Sequence, residues 1–234
     1  MTNHSTYEIS VVLPAFQEEE NLRLLIPRLI TVMNDIGKTY EILVIDTMRP
    51  LDNTNGVCKA HNCTYIARMR GNSFGDAVRT GISNAQGKYI VFMDADGSHA
   101  PEFIEKLYTH HLSADIVIAS RYIENGYTEN NKILTLMSRS LNLTYRLVLG
   151  VKCHDLSNSF RLYEASQLKK LTLQCSNFDI VEEILLKLAR NNKHLAIVEI
   201  PFTFKQRMFG KSKRNLFLFI LTYIYTLIRL RFFV

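Results

Sequence analysis

Five short apolar runs punctuate the first 120 residues, each separated from the next by a segment of helical character. Ile9–Leu13, Glu41–Asp46, Thr64–Ala67, Lys88–Met93 and Asp115–Ser120 are too short for buried helices and carry no polar alternation. They read as strands buried on both faces. Between the first two, apolar residues at Leu22, Leu25, Ile26, Leu29, Ile30 and Met33 recur with helical spacing over Glu18–Asp35. A weaker helix ends near Asn62, another covers Gly75–Ala85, and a fourth runs from Pro101 to about Leu112. Strand and helix in strict alternation predict a mainly parallel sheet flanked by helices, with ligands bound at the carboxyl ends of the strands.

Beyond Arg121 the alternation breaks. Glu124–Asn131 reads as a polar loop, Ile133–Leu149 as a helix, Ser159–Tyr163 as a strand and Phe178–Asn191 as a helix. Leu195–Phe204 reads as a strand, and Pro201 places it at a sheet edge. Leu216–Ile228 is uncharged but shorter than the roughly 20 residues needed to span a bilayer. It is expected to be an amphipathic or interfacial helix, with a helix docked on the core as the competing reading. The chain of 234 residues therefore divides into an α/β body, 1–215, and an apolar, basic segment, 216–234, expected to associate with membranes.

Charge supports that division. Residues 200–234 hold seven cations and no Asp or Glu, so the first 199 residues are close to neutral although the whole chain is +6. A near-neutral body argues against a nucleic-acid-binding module, while a basic, apolar tail suits anionic ligands or a lipid surface. The N-terminus is polar through Glu8, which predicts no secretory signal. None of the four cysteines forms a C-x-x-C pair, and reduced, buried thiols are expected.

The sharpest chemical feature is Asp94-Ala95-Asp96, leaving the fourth apolar run. Two carboxylates at a strand end can converge on one hard divalent cation, Mg²⁺ or Mn²⁺, which would clamp a nucleoside diphosphate as leaving group.

Around this feature the chain resembles family-2 GT-A glycosyltransferases. Ser10–Asn21 (SVVLPAFQEEEN) resembles their opening strand and loop, and Arg70–Glu102 their central stretch through D-x-D. Ala119–Tyr122 (ASRY), Asp155–Arg161 (DLSNSFR), Val198–Phe204 (VEIPFTF) and Arg207-x-x-Gly210-x-Ser212-Lys213 are similar to the branch containing dolichol- or polyprenyl-phosphate mannose synthases. The resemblance spans about residues 8–215.

It implies a GT-A, Rossmann-like fold and an inverting transfer of mannose or a similar hexose from a nucleotide-sugar donor to a polyprenyl phosphate, with Mg²⁺ or Mn²⁺. Carried over by position, Pro14, Phe16, Glu18, Asp94 and Ala95 border the nucleotide-sugar and Asp46 faces the base. Asp94 and Asp96 bind the metal. Asp96, Arg207 and Lys213 serve catalysis, and Arg121 and Ser138 hold the acceptor phosphate. The implied location is the cytoplasmic face of a membrane, peripheral or interfacially anchored, with no nucleic-acid partner.

Three positions depart from the family pattern. Asp46-Thr-Met-Arg-Pro-Leu-Asp52 replaces the usual D-D-x-S-x-D, Ser98 stands where relatives often carry Gln, and Leu134 stands where an Arg is expected. Two other readings stay open: a family-2 transferase acting on a hydroxyl of a cell-envelope glycan, and a non-catalytic, membrane-bound relative. A hydroxyl acceptor needs a positioned general base, for which Glu183 is the candidate. His99 follows the D-x-D and is either close to the metal or a plain loop residue.

Overall fold

The structure is a computed structural model and describes residues 6–209 and 225–232. The five apolar runs are strands β1 (Tyr7–Pro14), β2 (Tyr40–Asp46), β3 (Thr64–Ala67), β4 (Gly87–Phe92) and β5 (Ile116–Ser120). Between them lie helices α1 (Glu19–Ile36), α2 (Thr54–Ala60), α3 (Phe74–Asn84) and α4 (Phe103–Thr109). The second half adds β6 (Tyr127–Thr128), α5 (Lys132–Leu149), β7 (Arg161–Glu164), α6 (Ala165–Leu168), α7 (Ile180–Asn191), β8 (Ile197–Pro201) and β9 (Thr203–Phe204).

Seven strands form one sheet in the order β3-β2-β1-β4-β7-β5-β8. All run parallel except β7, which is antiparallel to both β4 and β5. This reversed strand matters for the site. Because it begins at Arg161 opposite Phe92 and Ile118, the segment leading into it lies at the carboxyl ends of β4 and β5.

Alternate side chains of each strand serve opposite layers, as the pleat requires. Val12, Leu43, Ile45, Ile90, Phe92 and Ile118 pack against α3, α6 and α7, together with Tyr145 of α5. Val11, Leu13, Val44, Val91 and Val117 pack against α1, α2 and α4. Both faces are covered, which explains the unbroken apolar runs. Cys58, Cys153 and Cys175 are buried free thiols and Cys63 is partly buried, as the sequence suggests.

Two sequence expectations need refinement. The polar loop after Arg121 contains β6, which pairs in parallel with β9. The single strand expected over Leu195–Phe204 divides, because Phe202 turns into the core and its N–H donates to the Ser120 carbonyl at 2.9 Å. Its β8 portion is the sheet edge, as Pro201 foretold.

Among the described residues no helix is long and apolar enough to cross a membrane. The stretch 216–224 of the expected tail segment lies outside them. Residues 225–232 are helical and dock on the protein along one side. Leu230 is buried in the α7 layer, the Thr226 hydroxyl donates to Asp179 at 2.8 Å, and Arg229 donates to Gln174 at 2.9 Å. Tyr225, Ile228 and Phe232 point outward and are exposed. Leu230→Ala is expected to cost about 2–5 kcal/mol of stability. Phe232→Ser should stay within about 0.5 kcal/mol of the wild type. Urea unfolding midpoints of the two variants measure this difference.

Candidate active site

The carboxyl ends of β1, β2, β4, β5 and β8 converge on one side of the sheet, and the chemistry-bearing residues lie there. Pro14 ends β1, and it lines a small cleft with Phe74, Asp94 and Ser159. Phe16 follows with its ring exposed.

Asp94 and Asp96 leave β4 with one oxygen each held by a hydroxyl. Ser159, from the segment entering β7, donates to Asp94 Oδ1 at 2.9 Å. Ser98 donates to Asp96 Oδ1 through both its N–H (3.0 Å) and its hydroxyl (2.6 Å). Ser98, which stands where relatives often carry Gln, thus orients a carboxylate. Between them Ala95 is buried. The turn depends on Gly97, whose φ of +81° is in the left-handed region, where an added Cβ would lie 2.5 Å from the Met208 side chain.

These carboxylates fit a hard cation. Among the described residues no three His, Cys, Asp or Glu side chains group to hold a metal. Two carboxylates, with diphosphate oxygens and water completing the shell, is the donor set Mg²⁺ favours. Cys58, His61 and Cys63 on and after α2 form no such group either.

Glu18 and Arg207, 189 residues apart, meet at the same place. Arg207 Nη2 donates to Glu18 Oε1 at 2.7 Å, and its Nε lies 4.0 Å from Asp96 Oδ2. Burial pushes the Glu18 carboxyl up, opposed by the Arg207 charge and by the hydrogen bond from Asn21. The chain carrying Arg207 is stitched down by backbone bonds. Lys205 N–H donates to Ser98 O, Met208 N–H to Asp96 O, and Phe209 N–H to the Asn21 side chain. Lys213 lies outside the described residues.

Asp46 ends β2, fully buried, and accepts from Thr47 N–H at 2.7 Å and the Tyr65 hydroxyl at 3.1 Å. Burial raises its carboxyl above the ordinary range. The unusual loop after it is anchored by Asp52. One oxygen of Asp52 accepts Glu19 N–H and the other Thr54 N–H, both at 3.0 Å, so a single carboxylate serves the first turns of α1 and α2.

Arg121 is not a free phosphate-binding side chain. Its Nε and Nη2 donate to the two oxygens of Asp155 at 2.8 and 2.7 Å, and its own N–H donates to Asp155 as well. The pair is buried. Burial alone would raise the Asp155 carboxyl, but the guanidinium outweighs it and holds the carboxyl below the ordinary range. Asp155 sits in the D-L-S-N-S-F-R run, to which sequence reasoning assigned no role for it, nor for Ser159 and Asn158. Ser138 lies on α5, where its carbonyl accepts from Asn142, and Asn142 in turn donates to Ser157. Arg139, beside Ser138, has its guanidinium 5.7 Å from the Tyr122 ring centre, and Arg121 approaches the same ring at 4.9 Å.

Glu183 is fully buried and has its carboxylate committed to other partners. It accepts from the backbone N–H groups of Gln174 and Cys175 and from Lys187 Nζ, all within 3.0 Å. Burial raises its carboxyl, and these donors more than reverse the effect.

Removing the Asp155 carboxylate would leave the Arg121 charge buried and unpaired. Asp155→Ala is expected to cost about 3–5 kcal/mol, lowering Tm by about 10 °C. Because the folded carboxyl titrates below its unfolded value of about 3.9, the stabilisation is present above that pH. It is lost as pH falls through the folded value. Thermal melts of wild type and variant should therefore differ fully at pH 7 and converge in strong acid.

Comparison with known proteins identifies the family and the fold. The family model described as "Glycosyl transferase family 2" matches residues 10–172. A dolichol-phosphate mannosyltransferase of Pyrococcus furiosus is 32% identical over 88% of this chain, which spans 59% of the length of that relative. A polyprenol monophosphomannose synthase of Mycolicibacterium smegmatis is 29% identical over 92% of this chain and 83% of its own length. In structure, glucosyl-3-phosphoglycerate synthase from Mycobacterium tuberculosis, in complex with Mn²⁺, UDP and glucosyl-3-phosphoglycerate, aligns with a TM-score of 0.74. That alignment covers 98% of this chain and 81% of the other at 19% identity, and it establishes a shared GT-A-like fold. The chain belongs to glycosyl transferase family 2.

Proposed function

We propose that this glycosyltransferase moves a hexose, mannose or one similar to it, from a nucleoside-diphosphate sugar to a polyprenyl phosphate. The observation that carries the reading is the disposition of carboxylates. Glu183, the candidate general base, is sealed in the α7 layer by amide donors and Lys187. Asp155 is paired with Arg121, and Glu199 accepts from Ser120, His154 and the Asp155 N–H. An acceptor hydroxyl would need a base to take its proton. An alkyl phosphate is already an anion at neutral pH and attacks the anomeric carbon without one. The names of the two curated relatives, which specify dolichol phosphate and the synthesis of a polyprenol monophosphomannose, support the same acceptor class.

In this reading Pro14, Phe16, Glu18 and Ala95 border the donor, and Asp46 faces its base. Asp94 and Asp96 hold Mg²⁺ or Mn²⁺, whose bound form supplies positive charge to the departing diphosphate. Arg207 and Lys213 add cationic charge where two phosphate-bearing substrates meet. Arg121 contributes its fixed charge and Ser138 a hydroxyl donor on the acceptor side.

The outer face of α5 supports the membrane part of the proposal. Ile133, Leu136, Leu143 and Leu147 are 56–72% exposed at helical spacing. Lys132, Arg139 and Arg146 flank them, and the helix has no acidic residue. Apolar side chains facing outward between cations suit an anionic bilayer surface, and Tyr225, Ile228 and Phe232 offer a second such patch. The enzyme would thus work peripherally, and the family resemblance implies the cytoplasmic face.

A radiolabelled hexose supplied as its nucleotide donor, with Mn²⁺ and a short polyprenyl phosphate, should appear in an organic-extractable product labile to mild acid. EDTA should abolish the transfer, and Asp96→Asn should lower turnover by at least about 100-fold. Full activity in chelator would refute the metal assignment. Label found only on a glycan hydroxyl would refute the acceptor. Replacing Leu136, Leu143 and Leu147 together by Ser should release the protein from vesicles containing anionic lipid; unchanged pelleting would remove α5 from the membrane contact.

A further inference from the structure

His99 is wholly buried, five residues beyond the first aspartate of D-x-D, and both ring nitrogens have defined partners. The backbone N–H of Asp94 points at Nδ1 at 2.9 Å. A backbone N–H only donates, so Nδ1 carries no proton and the proton sits on Nε2. That nitrogen donates to Asn158 Oδ1 at 3.1 Å. The amide orientation of Asn158 is settled in turn, because its Nδ2 donates to the Ala119 carbonyl on β5. The imidazole plane is locked as well. It stacks on Phe160 with centroids 4.7 Å apart and planes 13° from parallel, and Phe202 and Phe204 close its edges.

The bond to Asp94 comes where the sheet stops supplying partners. The β4 ladder ends at Phe92, and Met93 N–H still finds the Val12 carbonyl. Asp94 N–H is the first backbone donor beyond it, and its acceptor is a side chain. A buried backbone donor left unsatisfied is costly, so without an acceptor at Nδ1 this peptide would turn toward water. The carboxylate it carries would turn with it.

We infer that His99 is a positioning residue of the metal site: its unprotonated Nδ1 fixes the Asp94 backbone so that the Asp94 carboxylate faces the same cation as Asp96. The ring acts through hydrogen-bond geometry and does not ligate the ion. Its Nε2 stands 3.7 Å from Asp94 Oδ2 and is directed to Asn158. The inference rests on the assignment of Asp94 and Asp96 as the cation's ligands.

The test separates positioning from packing with two substitutions that trade one for the other. His99→Asn keeps an acceptor oxygen where Nδ1 stood but deletes most of the ring. His99→Phe keeps the ring and its stacking but has no acceptor. Mn²⁺ binding is followed by electron paramagnetic resonance of free Mn²⁺, in the presence of a nucleoside diphosphate, with Tm recorded on the same samples. His99→Phe should bind Mn²⁺ at least about tenfold more weakly than the wild type, a loss of about 1.4 kcal/mol. His99→Asn should bind within about threefold of the wild type, although the cavity it leaves makes it no more stable than His99→Phe. Affinity that falls in parallel with Tm across the two variants would overturn the inference and leave His99 a packing residue. If His99→Phe fails to fold, His99→Gln, which reaches Asn158 but presents no acceptor to Asp94, takes its place with the same expectation. A wild type that binds no Mn²⁺ at all would refute the metal assignment itself, and this inference with it.

Discussion

The buried Asp155–Arg121 ion pair is the interaction on which the site depends. Two charges removed from water repay their desolvation only with good geometry and further hydrogen bonds, and both are present. The guanidinium meets the carboxylate in a two-pronged contact, and the N–H groups of Arg121 and Asn158 add donors. Arg161 holds the same corner from behind by donating to the carbonyls of Asp155 and Leu156. The pair joins the end of β5 to the segment that enters β7. Asn158 and Ser159, on that segment, reach His99 and Asp94. A reversed strand in an otherwise parallel sheet is thereby turned into the back wall of the D-x-D cluster.

The front of the site is organised by charge balance instead. Glu18, Asp96 and Arg207 come from the residue just before α1, the D-x-D loop and the segment after β9. Carboxylates this close would repel one another, and Arg207 lies between them. The backbone bonds from Lys205 and Met208 to the D-x-D loop hold that cation in place with little dependence on its own side chain. Gly97 admits Met208 against the turn, so the absence of a Cβ at one residue permits the close approach of two distant segments.

Much of this was legible in the chain. The five apolar runs became the parallel strands because burial on both faces imposes a pattern that polar alternation cannot mimic. Asp94 and Asp96 stood out because strand ends are where such a sheet binds ligands, whereas Pro14 and Asp46 were assigned only through the family resemblance. Long-range pairing was not legible. Nothing local to Arg121 reveals Asp155 as its partner, so a cation assigned to a phosphate proved to have most of its donors committed to a carboxylate. Nothing local to Glu183 reveals the backbone amides it accepts from. Strand β6 escaped notice because two residues carry no period, and its existence depends on β9, some 75 residues away. Ser159 and Asn158 lay inside a recognisable run, but the run alone does not say which side chains face Asp94 and His99.

The central claim is that the nucleophile is a phosphate oxygen, for which no carboxylate of this site has to accept a proton. Phosphorus-31 NMR of a complete reaction tests it directly, since the acceptor carries the reporter nucleus. The account predicts that the monoester resonance of the polyprenyl phosphate is replaced by that of a sugar phosphodiester as nucleoside diphosphate is released. Sugar transfer that proceeds while the monoester resonance stays unchanged would contradict it.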